Sequence, residues 1–189
     1  MKRHWIGLFV ALLGLLVILG AAPAAMADDD EVELKAKLQG FQETPAISSG
    51  ASGKFRGEIS SNGDSITYTL SYSGLEGTVT QAHIHFGQRG VAGNIVVFLC
   101  QTASVSDPTG LAPTCPQSAP ESNPVHGTLT AANMTTRATA QGIVPPEFGE
   151  FVRAIRAGVS YANVHSKDAG AVPGNFNGGE IRGQISAHD

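Results

Sequence analysis

The chain has 189 residues, with 12 Lys and Arg against 16 Asp and Glu and a formal charge of −4. That length suits one domain of medium size. Charged residues at only 15% and 23 glycines exclude a heptad-patterned coiled coil or helical bundle, and a net-acidic chain without a Lys/Arg cluster excludes a nucleic-acid binder.

Lys2 and Arg3 precede an apolar run over positions 6–22, and Ala25-Met26-Ala27 then supplies the small-x-small pattern of signal-peptidase cleavage. Residues 1–27 are read as a secretion signal peptide, with an uncleaved anchor as the competing reading because the 17-residue run reaches the lower limit for crossing a bilayer. Cleavage leaves one domain over 28–189, with 10 basic and 16 acidic residues and a net charge of −6. Its expected location is secreted, extracellular or periplasmic, with no membrane partner.

Val32, Leu34, Ala36 and Leu38 alternate with Glu33, Lys35 and Lys37, the pattern of a half-buried strand. Phe55, Gly57 and Ile59 lead through Ser61-Asn62-Gly63-Asp64 into Ile66, Tyr68, Leu70 and Tyr72. Asn-Gly between alternating runs predicts an antiparallel hairpin over 54–60 and 65–73. Further short strands are expected over 79–86, 95–99, 126–130, 160–165 and 180–185, each bounded by Gly, Pro, Asn or Ser. Seven to eight such strands predict an all-β fold, an antiparallel Greek-key sandwich or barrel. One stretch departs from it: after Pro145-Pro146-Glu147, the spacing of Phe148, Phe151, Val152 and Ile155 predicts a short amphipathic helix ending at Gly158.

Cys100 and Cys115 are expected to form a disulfide, since an exported chain meets an oxidising compartment. The segment between them carries Pro108, Gly110 and Pro113 without periodicity and reads as a surface loop stapled at its base. Closing a loop of about 15 residues is worth roughly 3 kcal/mol in the chain-entropy account. Gly87, Gly90 and Gly93 read as a turn between strands, since no Lys-Ser/Thr ending makes them a phosphate loop. No Gly-x-Ser-x-Gly elbow or identifiable carboxylate pair is present. No catalytic residue is assigned, and the reading leans away from an enzyme.

The chemistry concentrates on histidine. Ala82-His83-Ile84-His85-Phe86-Gly87 places two imidazoles at i and i+2, so both project from one face of a strand and Ala82, Ile84 and Phe86 from the other. With the apolar set inward, both rings are expected to face outward and to add little to the core. Their Cα atoms would lie about 6–7 Å apart, close enough to reach one metal ion. Tyr161, Asn163 and His165 share the face of another strand, so His165 offers a third ligand. His126 is a weaker additional candidate, and His188 reads as an ordinary surface residue. Imidazole suits copper, zinc, iron and nickel.

Several stretches together resemble the CHRD family, the domain described in chordin and in secreted bacterial proteins. They are Leu38-Gln39-Gly40 with Glu43-Thr44-Pro45-Ala46, the His83-x-His85 segment continuing through Gly90 to Asn94-Ile95-Val96-Val97, Gly127-Thr128-Leu129-Thr130, the 151–158 helix, Tyr161-Ala162-Asn163-Val164-His165-Ser166, and Gly178-Gly179-Glu180-Ile181-Arg182-Gly183-Gln184-Ile185. The likeness spans about 32–187 and implies an extracellular β-sandwich module. The histidines are also similar, more faintly, to copper/zinc superoxide dismutases: His83 and His85 before Phe86-Gly87, then Val164-His165, then Arg182. Residues 86–125 contain no histidine, so the zinc loop of those enzymes has no counterpart. What the likeness implies is a mononuclear copper site of His83, His85 and His165, with Asn163 and Arg182 around it.

Three readings follow. The chain is a secreted protein that binds one copper ion for storage, delivery or sequestration; or an extracellular structural or adhesive module without metal; or, least favoured, a dismutase-like redox enzyme. The expected partners are a metal ion and another extracellular or periplasmic protein.

Overall fold

The computed structural model describes residue 1, residues 31–167, residue 176 and residues 178–188. The expected signal segment, residue 1 apart, lies outside the described residues. Among those described, no helix is long and apolar enough to cross a membrane.

Among the described residues, nine strands and one α-helix follow in order: β1 (Val32–Gln39), β2 (Ser52–Ile59), β3 (Ile66–Ser73), β4 (Thr78–Phe86), β5 (Asn94–Cys100), β6 (Val125–Leu129), α1 (Phe148–Arg156), β7 (Ser160–Lys167), β8 (Ile181–Gln184) and β9 (Ser186–His188). The strands form one antiparallel sheet in the order β5-β4-β7-β8-β1-β2-β3-β6, curled into a nearly closed barrel. This is the all-β architecture that the alternation predicts. The last strand is broken at Ile185, and both β8 and β9 pair with β1.

Alternation is realised most plainly in β1, where Val32, Leu34, Ala36 and Leu38 are buried and the residues between them are not. The Asn62-Gly63 turn joins β2 to β3 with Ile59 opposite Ile66, and Gly63 takes the left-handed conformation at φ 70° that a tight turn of this kind needs. The barrel interior is filled by Leu34, Phe55, Leu70, Ile84, Val97, Leu129 and Val164, all at or near zero exposure. Phe148, Phe151, Val152 and Ile155 of α1 belong to the same cluster, so the helix lays its predicted stripe on the core. The gap between the outer strands narrows just past β6, where Thr135 donates its backbone N–H to Val96 O at 2.8 Å and its hydroxyl to Ile95 O at 2.8 Å.

Cys100 and Cys115 are bonded. The loop they close has more order than an aperiodic segment suggests. Asp107 is buried and accepts backbone N–H bonds from Thr109, Leu111 and Ala112, while Gln101 Nε2 donates to Ala112 O. Ala112 is thereby laid against Ile95 and Phe98, a second small apolar cluster separate from the interior.

Candidate metal centre

β4 positions two histidines and β7 the third. In the β4–β7 ladder, His83 stands opposite Asn163, His85 opposite Tyr161 and Gln81 opposite His165. Ala82 and Ile84 point into the interior, so His83 and His85 share the other face, as period two requires. That face is not open. His83, His85 and His165 are only 0%, 8% and 5% exposed, which corrects the expectation of outward rings. The cover comes from distant parts of the chain: Phe98 of β5 meets the His83 ring edge-on at 4.3 Å between centroids, and Tyr161 stacks on His85 at 4.7 Å. Arg182 in turn lies 3.4 Å over the Tyr161 ring, and Arg137 lies 5.6 Å over Phe98. Burial on both faces of β4 is therefore the rule at this end, and the histidines are part of the packing.

The three rings converge. Each offers one nitrogen such that all three atoms lie within 4.8 Å of one another, an arrangement that allows a metal ion to be held. His83 Nδ1 and His165 Nε2 are 3.2 Å apart. His85 Nδ1 is 2.9 Å from Gly93 O. A carbonyl only accepts, so Nδ1 carries the proton there and Nε2 of His85 is left with its lone pair. That Nε2 and Nε2 of His83 are buried without a hydrogen-bond partner among the described residues. Desolvation, with smaller contributions from the neighbouring histidines and Arg137, holds His83 well below its ordinary value; burial likewise pulls His85 down to about 3, against the opposing pull of the Gly93 carbonyl. Both rings are neutral at physiological pH, the form that ligates metal.

The other residues singled out from sequence fall in different places. Asn163 lies between the cluster and Glu43, donating its Nδ2 to Glu43 Oε1 at 2.6 Å. Arg182 is buried and fastens the 87–93 turn, donating to Gln88 O and Val91 O at 3.0 Å each and to Thr44 Oγ1 at 3.3 Å. His126 is exposed on β6, which pairs with β3, and stands outside the cluster. His188 is exposed on β9, beside Ser186.

Sequence reasoning gave no site role to Gly93, Glu43 or the covering aromatics. Gly93 is required where it stands, because a Cβ there would collide with the Phe86 carbonyl, and only this close turn brings its own carbonyl to His85. Glu43 is buried, and desolvation pushes its carboxyl up to about 8 despite the Arg182 guanidinium and the Asn163 amide. A single acid in a loop carries no sign of burial; its place in the Glu43-Thr44-Pro45-Ala46 segment is the one signal available.

A comparison with curated proteins finds no match. The model of the CHRD domain family matches residues 34–185, a span that takes in β2 through β8, α1 and all three converging histidines, and the chain belongs to that family.

Proposed function

We propose that the chain is a secreted metal-binding protein that holds one copper ion through His83, His85 and His165, for storage, delivery or sequestration. The observation that carries this is the pair of buried Nε2 atoms without partners in a cluster whose donor atoms lie within 4.8 Å. Leaving one such atom unsatisfied costs about 1–3 kcal/mol. A bound ion would take up the lone pair of His85 Nε2, the nitrogen left over by the Gly93 bond. His85 also has the support expected of a ligand, its other nitrogen donating to a backbone carbonyl that fixes ring and tautomer. Copper is favoured by the order of His83-x-His85 before Phe86-Gly87, then Val164-His165 and Arg182, which is similar to copper/zinc dismutases. The disulfide and the CHRD membership support export, with residues 1–27 as the signal and 28–189 as the exported domain. Delivery would add another extracellular or periplasmic protein as the recipient.

A second reading, an extracellular structural or adhesive module, is favoured by one observation: the His83–His165 and His85–Gly93 hydrogen bonds tie β4 to β7 and to its own turn without metal. Dismutase chemistry has less support, since Arg182, which would steer the anion, is spent on Tyr161 and the turn carbonyls. Copper titration of the untagged exported chain separates the readings. One equivalent should bind, with affinity falling at least tenfold in His83→Ala, His85→Ala and His165→Ala and holding in His126→Ala and His188→Ala. Binding indifferent to the first three substitutions would leave the structural module as the better account.

A further inference from the structure

We infer that the pocket selects copper as Cu(I) and discriminates against Cu(II). This rests on the three-histidine reading above and concerns the charge and geometry of the same site. All three donors are imidazoles, and no carboxylate belongs to the set. Two cations are packed around the set, Arg137 over the Phe98 ring and Arg182 over the Tyr161 ring. Each cation is separated from its histidine by one aromatic ring, Phe98 or Tyr161.

The buried acids nearby are held by other partners and lie outside the donor set. Glu43 binds Asn163 and stays protonated up to about pH 8. Glu180 turns its carboxylate to Ser49, Ser166 and the Glu76 amide. An entering ion therefore brings its whole charge into a buried site whose donor set holds no carboxylate to offset it. The desolvation cost of an ion grows with the square of its charge, so a dication is penalised about four times as heavily as a monocation of the same size.

Coordination points the same way. Cu(I) has a filled d shell and is content with three nitrogens, whereas Cu(II) favours a tetragonal shell of four or more N and O donors, several of them commonly water. Rings that are 0%, 5% and 8% exposed leave little approach for such waters.

The test uses the full exported chain without an affinity tag, with its disulfide intact by mass. Cu(I) is presented anaerobically from bicinchoninate, and Cu(II) and Zn(II) are presented separately from nitrilotriacetate. Cu(I) should bind one per chain and at least 100-fold more tightly than either dication. It should be lost in His83→Ala and in the more conservative His85→Gln, both checked for native melting. Cu(II) or Zn(II) held as tightly as Cu(I), and lost in the same variants, would overturn the selectivity while leaving the three-histidine site standing. Failure of every ion to bind at these histidines would overturn the metal reading and the selectivity with it.

Discussion

At the scale of residues, the site is governed by what lies behind the three histidines. Tyr161 accepts the Gly93 N–H at 3.1 Å and stacks between His85 and Arg182, so one ring braces both the turn and the imidazole. Removing such support around a ligating histidine typically costs 10–100-fold in metal affinity. Tyr161→Ala should weaken copper binding by about that factor, and Tyr161→Phe, which keeps the stack and loses one hydrogen bond, by much less; equal losses in calorimetric titration would contradict the bracing role. The same burial sets a pH dependence in the metal-free protein. As pH falls below 6.5, the unfolded chain takes up protons that the folded His83 and His85 refuse, so stability declines toward acid. Between 4.5 and about 8, folded Glu43 keeps a proton that the unfolded chain has released, so stability declines as pH rises through that window. Thermal melts should therefore peak near pH 6–7. Glu43→Gln should abolish the alkaline decline and leave the acid one, and an alkaline limb unchanged by Glu43→Gln would show that Glu43 is not its source.

At the scale of elements, local pattern and distant cover contribute separately. Hydrophobic alternation is enough to place β1 to β3 and the β2–β3 register, because a slip of one residue would send Leu34 or Phe55 to solvent. The stripe of α1 is equally readable, since Phe148, Phe151, Val152 and Ile155 fall on one helical face. The burial of the histidine face was not readable. It depends on Phe98 and Tyr161 arriving from other parts of the chain, and nothing within 82–87 records them. The order within the disulfide loop escaped for a like reason: Asp107 caps backbone N–H groups in an aperiodic segment, where no repeat marks it. Two independent devices therefore hold that loop. Asp107→Ala, which strands buried donors, should cost about 1–3 kcal/mol. Breaking the disulfide as Cys100→Ser with Cys115→Ser should cost roughly 3 kcal/mol. Chemical denaturation of both variants would test this, and a negligible effect of Asp107→Ala would mean that the cross-link alone orders the loop.

At the scale of the whole molecule, the barrel works as a rigid frame that brings i, i+2 histidines from β4 against one histidine from β7 and then seals them under aromatic rings. Sequence spacing made the pair visible, and the antiparallel pairing of β4 with β7 supplies the third member, which spacing alone could only nominate. The buried pocket is what connects the fold to the proposed function, because it gathers imidazole nitrogens away from solvent. The most direct measurement is elemental analysis of the untagged chain purified after export, wild type beside a variant carrying His83→Ala, His85→Ala and His165→Ala. The account predicts about one copper per wild-type chain and none in the triple variant. A wild-type chain without metal after exposure to copper, or a triple variant that carries as much, would contradict it.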